Sequence, residues 1–213
     1  MADAGIPYLV VGENLALAAT AMSGSLGVVL ALGRQSKLPV VKTLCVIYIE
    51  MIRGVPLISL LFMSSVVFPL FLPEGITVDK ILRAQVAIIL FTAAYVAEVV
   101  RGGLQGMSSG QYEAAESLGL NYYQTMRLVI LPQALRVIIP PLISQYLNLT
   151  KNSSLAIAVG YMDITGTLGG ITLNQTGRAI EAILLLMLFY LTISLLISAV
   201  MNVYNNAVKL KER

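Results

Sequence analysis

Long apolar stretches separated by short polar breaks dominate the chain, and their lengths predict helices that cross a membrane. Such a helix needs roughly 20 apolar residues, and Tyr8 to Leu32 supplies the first, interrupted near its start by Glu13 and Asn14. The polar segment Gly33 to Pro39 ends it. The next apolar run reaches Leu72 with Lys42, Glu50 and Arg53 inside it, which is too long for one simple span. Gly54 and Pro56 divide it, because proline removes a backbone donor and crowds the turn before it. Val40 to Ile52 therefore reads as a lead-in helix near the interface, and Val55 to Leu72 as the second span. After a short loop, Pro73 to Asp79, come a third span over Ile81 to Val100 and a polar region from Gly102 to Arg136. A fourth span over Val137 to Val159 holds Pro140, Pro141 and a polar cluster at Asn148 to Ser154, and a fifth covers Ala179 to Val203. The expected architecture is all-α and polytopic. One transmembrane domain occupies residues 8–205, with about five transmembrane helices, a polar loop over 108–132 and a tail over 206–213.

Composition supports this reading and narrows the chemistry. With 57% hydrophobic and 12% charged residues and a mean hydropathy of +0.83, 213 residues carry too few charges to cover a soluble domain. The opening residues, Met1 to Pro7, have Asp3 as their one charge and do not read as a cleaved leader. One cysteine, Cys45, and no histidine leave neither a disulfide framework nor the usual zinc ligand sets, so no metal site is expected. The net charge of +3 is not gathered into a nucleic-acid-binding stripe. It reads instead as a topology signal. An outer amino terminus puts Arg34, Lys37, Lys42, Arg53, Arg101, Arg127, Arg136, Lys209, Lys211 and Arg213 inside, with Lys80, Arg83 and Arg178 outside and Lys151 within a span. Short basic loops stay in the cytoplasm, so this orientation, with an inner carboxyl terminus, is the expected one.

The polar loop carries the clearest local signals. Ser108 with Gln111 makes a capping-box pattern, in which the hydroxyl accepts from a free backbone N–H and the glutamine reaches back. A helix starting there contains Glu113, Ala114, Ala115 and Glu116 and stops at Gly119, the residue best suited to a left-handed terminus. Asn121 with Gln124 repeats the start signal, and a second helix runs to Leu131 before Pro132. Taken alone, this is a capped surface hairpin on the cytoplasmic face.

Its residues also resemble the signature loop of the inner-membrane subunits of binding-protein-dependent ABC importers: Glu113-Ala114-Ala115, Gly119 and Leu131-Pro132 stand at the family's spacing, with Val129 where isoleucine is usual. Further segments resemble the polar amino-acid branch of that family, which serves solutes such as histidine, glutamate, glutamine, arginine and opines. They are Arg53-Gly54-Val55-Pro56-Leu57, Ala94-Tyr95 with Ala97-Glu98, Arg101-Gly102-Gly103, Gly110-Gln111 and Lys151-Asn152-Ser153-Ser154-Leu155. The similarity covers about residues 10 to 205. Val55 departs from the threonine common there, and Asp163 stands where a glutamate is common.

The resemblance implies a permease subunit of an ATP-driven importer in a bacterial inner membrane, moving polar or charged amino acids by alternating access. It also implies the partners: two ATPase subunits that bind ATP and magnesium, a second permease that is identical or homologous, and an external solute-binding protein. No Gly-x-x-x-x-Gly-Lys-Ser/Thr loop occurs in this chain, so it is expected to be no enzyme, with no cofactor of its own. In that scheme Glu113, Ala114, Ala115, Gly119, Leu131 and Pro132 form the ATPase-coupling loop. The substrate-path candidates are Asn148, Lys151, Asn152, Ser153 and Asp163, because ionisable groups inside a span usually face a bundle interior or a water-filled cavity. Lys151 has a plainer reading as an ion-pair partner of Glu98 or Asp163. Gly102 and Gly106 offer a Gly-x-x-x-Gly helix contact. The rival mechanism, a secondary transporter or channel, would need an ion-coupling site or filter, and no internal repeat is visible to supply one. Five spans are too few to enclose a path alone, so a dimer is expected.

Overall fold

The computed structural model describes residues 6–160 and 164–208, with side chains described over 19–152, 154–160 and 164–204. Helices occupy all five predicted spans, and the described residues form no strand. The core is made by α1 (Ile6–Arg34) and α4 (Lys80–Gln105) lying side by side. Ala19 packs at the level of Ala84, Ala87 and Ile88, and Ala31 at the level of Ala97 and Val100, so the two helices run in the same direction. Lipid tails are as apolar as leucine, so helix association in a bilayer relies on close packing of small residues. Gly27 is one point of close approach: a Cβ there would lie 2.5 Å from Val96 Cγ1 and 3.0 Å from the Ala93 carbonyl oxygen.

Residues 39–71 form a bent pair. α2 (Pro39–Arg53) and α3 (Leu57–Phe71) meet at 104° across the Gly54–Pro56 break, where the sequence divides lead-in helix from span. α3 is irregular, passing from an α turn to a π turn at Met63–Val67 and a 3₁₀ turn at Phe68–Phe71, which begins on the sequence Phe68-Pro69. Among the described residues, α4, Tyr122–Val159 and Ala179–Tyr204 are long and apolar enough to cross a membrane singly; the bent pair makes a fourth if it counts as one span. α1, 29 residues long, takes the place of the first predicted span.

Beyond α4 come α5 (Ser109–Ser117) and α6 (Tyr122–Val159), and here the structure corrects the sequence reading. Pro132 does not end a hairpin helix, and the fourth span does not begin at Val137. α6 is continuous because a π turn at Met126–Ile130 precedes the proline: Leu131 N–H closes onto Met126, and Pro132 follows as the second residue of a new α segment, where a free N–H has no partner to lose. Pro140 and Pro141 likewise sit inside the helix. Only at Ser153 does α6 tighten into a 3₁₀ segment that ends at left-handed Gly160. Further on, α7, over residues 166–176, opens with a π turn at Gly166–Thr172, and α8 (Ala179–Val208) closes the described chain. Residues 206–208 of the expected tail therefore continue α8, and Lys209, Lys211 and Arg213 lie outside the described residues.

The Gly102/Gly106 contact is also corrected. A Cβ on Gly102 would meet nothing within 4 Å, whereas one on Gly103 would run into Ile138 of α6.

Candidate functional site

The hairpin is built from α5 and the first turns of α6. At the end of α5, Gly119 takes φ +74° and two backbone bonds close the terminus: Leu120 N–H to Ala115 O at 3.1 Å and Gly119 N–H to Glu116 O at 2.8 Å. This is the Schellman arrangement that glycine favours. α6 opens with the expected capping box, Gln124 N–H donating to Asn121 Oδ1 at 2.9 Å and Asn121 N–H to Gln124 Oε1 at 3.0 Å. The box expected at Ser108 does not form. The Ser108 side chain makes no capping bond, and Gln111 turns away to accept from Gln133 Nε2 of α6 at 2.9 Å. That bond ties the two arms together at their base.

Burial sorts the coupling candidates. Ala115 is buried, as are Thr125 and Ile130 of α6. Glu113, Ala114, Gly119, Leu131 and Pro132 are exposed. With them the structure exposes Leu118, Tyr122, Tyr123 and Leu128, at 79%, 77%, 68% and 62%, an apolar tip that the motif does not mark. Large apolar side chains in an otherwise polar loop were its one sequence signal. An exposed apolar patch rimmed by polar residues is the mark of an interaction site.

About two helical turns before the end of α4 at Gln105, three helices meet on Glu98. Arg34 of α1 reaches its Oε1 at 2.6 Å, Arg101 of α4 binds it through Nε at 3.0 Å and Nη2 at 2.9 Å, and Arg53 of α2 stands at 3.5 Å from Oε2. Arg34 also bonds Glu50 at 2.9 Å, Arg53 lies over the Tyr95 ring at 5.5 Å, and Arg101 continues to Gln105. A carboxylate shared by arginines from three elements fixes their register, because removing it strands several partly buried cations. The hairpin is connected to this hub through Arg101, Gly103 and Leu104 of α4, which lead straight into Met107 and Ser108.

The substrate-path candidates are less unified. Asn148 and Lys151 are exposed on α6 and Asn152 is half-buried. Leu155, which regular helix geometry would place with them, packs into the core with Leu57, Leu61 and Leu149. The cause is the 3₁₀ tightening at Ser153, which changes the angular step per residue. Glu98 is taken by its arginines rather than by Lys151. The Ser153 side chain and Asp163 lie outside the described residues, as do the side chains of Glu13 and Asn14. Among the described residues no group of three metal-ligating side chains gathers.

Comparison with known proteins places this geometry. Residues 23–210 match the family described as the binding-protein-dependent transport system inner membrane component. A glutamate/glutamine/aspartate/asparagine transport system permease protein, BztB of Rhodobacter capsulatus, is 70% identical over 128 residues, 60% of this chain and 30% of that protein. The inner membrane amino-acid ABC transporter permease protein YhdY of Escherichia coli is 50% identical over 181 residues, 83% of this chain and 49% of that one. The chain thus spans 30% and 49% of the length of these two relatives. A solved amino acid ABC transporter, crystallised with histidines, superposes with a TM-score of 0.86 at 29% identity, covering 95% of this chain and 92% of its counterpart. The family is one of transport permeases, not of enzymes, and its match over most of the chain, on a bundle of apolar helices, settles the membership. The chain belongs to the inner-membrane component family of binding-protein-dependent transport systems.

Proposed function

We propose that this chain is the permease subunit of an ATP-driven, binding-protein-dependent importer that moves polar amino acids, acidic ones and their amides foremost, across a bacterial inner membrane. The observation that carries the proposal is the hairpin, closed at its turn by Gly119 and tied at its base by the Gln133–Gln111 bond, whose exposed tip presents Leu118, Tyr122 and Tyr123 along with Glu113. Its second arm is the start of a membrane-spanning helix, so a push on the tip moves α6 directly. ATP and magnesium belong to a partner ATPase on which the tip docks, a second permease completes the path, and an external binding protein delivers the solute. The named substrates of the Rhodobacter relative support the solute class. The basic residues support an outer amino terminus, an inner carboxyl terminus and a cytoplasmic hairpin.

Lys151, with Asn148 and Asn152 on the same helix and with Ser153 and Asp163 as further candidates from the sequence, is the proposed point of contact with the substrate carboxylate. Lys151→Met is expected to lower uptake while leaving ATPase docking intact; normal import by that variant would remove the lysine from the path. Uptake of a panel of labelled amino acids into proteoliposomes holding the whole assembly tests the main reading. Import of one charge class that requires both ATP and binding protein supports it, and import driven by a proton or sodium gradient contradicts it.

A further inference from the structure

Gln133 belongs to both the hairpin and the bundle. It is half-buried on α6, and its carboxamide nitrogen, which carries two hydrogens, has two acceptors: Gln111 Oε1 of α5 at 2.9 Å, and the Val129 carbonyl at 3.1 Å, inside the π turn of α6. Among the described residues no other side-chain hydrogen bond joins α5 to α6. The next residue, Ala134, is fully buried and clusters with Val100 and Leu104 of α4, so Gln133 stands where α6 enters the bundle. The stretch it bonds is where α6 can yield. A π turn holds one residue more than an α turn, and Pro132 withholds a backbone donor just after it.

We infer that Gln133 is a positioning residue for the coupling step, holding α5 and the stem of α6 as one lever so that movement of the tip reaches the span undiminished. This inference rests on the proposed reading of the hairpin as the ATPase-coupling element. Joined only at the Gly119 turn, two arms can open and close. A second tie at Gln111, about 12 Å back along α5 from Gly119 at ~1.5 Å per residue, fixes the angle between them. The bond to Val129 seats that tie on the π turn itself, the place where a load on the arms would otherwise be taken up. The two acceptors also explain the residue type. An ionised glutamate donates to neither oxygen, and leucine fills the space without bonding. A lysine ammonium, with three donors, can serve the Val129 carbonyl and a carboxylate placed at position 111 together.

The test uses the whole assembly in proteoliposomes and counts solutes imported per ATP hydrolysed. Gln133→Leu is expected to assemble with the ATPase and still hydrolyse ATP, while the ratio falls about fivefold, the factor that one neutral hydrogen bond sets on an equilibrium. Gln111→Ala, which leaves the Val129 bond in place, should give a similar loss, and the two substitutions together no further loss, because they remove the same interaction. Combining Gln111→Glu with Gln133→Lys should return the ratio to within about twofold of native, since an ion pair replaces the amide bond. A role confined to packing would not be rescued by that exchange. A native ratio in Gln133→Leu overturns the inference, as does an assembled Glu/Lys pair that stays uncoupled; where Gln133→Leu fails to assemble, Gln111→Ala decides in the same way. Import by the native assembly without ATP contradicts the importer reading itself, whereas native ATP-dependent import with unchanged ratios in the variants removes the role of Gln133 alone.

Discussion

α4 and α8 are both long apolar helices, yet the less apolar of the two forms the core. The best window of α4 has a mean hydropathy of 1.6 and is 56% buried; that of α8 reaches 2.6 and is 0% buried. In water the order would be reversed. In a bilayer, exposure of leucine costs little, and what draws helices together is close contact between small side chains and pairing of polar ones. α4 has both: Ala84, Ala87, Ala93, Ala94, Ala97 and Gly103 on its packed surface, and Glu98 at the meeting of three arginines. α8 has little of either: Ala182 is buried and the Tyr190 hydroxyl bonds the Thr165 hydroxyl at 3.0 Å, while Leu184, Leu185, Leu188, Leu191, Leu195 and Leu196 face outward.

Substitutions that change one property at a time test this contrast. The largest effect is expected from Gly27→Leu, since even a Cβ at this position overlaps Val96; overpacking costs about 1–3 kcal/mol or more, and α1 should separate from α4. Thermal unfolding in detergent should register it as a large loss of Tm, and an unchanged Tm would mean that the two helices do not pack as described. Next comes Glu98→Gln, which leaves Arg34, Arg53 and Arg101 without their common anion. A loss of about 2–5 kcal/mol is expected in the same assay, with partial recovery in Glu98→Asp. Asn121→Ala removes one cap from the hairpin for about 1 kcal/mol, seen as faster amide exchange over residues 121–125 with the spans unaffected. The smallest effect belongs to Leu188→Ala on α8, expected within about 0.5 kcal/mol. A larger loss there would show that another protein surface, not lipid, covers this helix.

Features set by nearby residues were legible in the sequence, and features set by distant ones were not. The helical character of the apolar stretches, the break at Gly54–Pro56, the Asn121 capping box and the left-handed Gly119 all follow from neighbours within a turn or two. The Ser108 box fails because Gln111 is claimed by Gln133, 22 residues away. Glu98 reads from the sequence as a candidate partner of Lys151; its bond to Arg34 spans 64 positions and depends on α1 lying beside α4. Pro132 is a helix breaker by rule, and the π turn that absorbs it leaves no compositional trace. In the candidate site, the motif marks Glu113 and Ala114 on the outer surface, but it also marks Ala115, which is internal, and omits the exposed Tyr122 and Tyr123. Spacing in a sequence identifies an element; which of its faces is free emerges only when the neighbouring helix is in place.

The most direct test of the central claim, that ATP hydrolysis in a partner subunit drives transport through this hairpin, is the number of solutes imported per ATP hydrolysed, compared between the native protein and Gly119→Val. Valine at φ +74° carries roughly 1–3 kcal/mol of strain and should tilt α5 against α6 while the spans stay folded. The account predicts that the variant inserts and assembles normally, yet its import per ATP falls severalfold. An unchanged ratio in a normally assembled variant would contradict it.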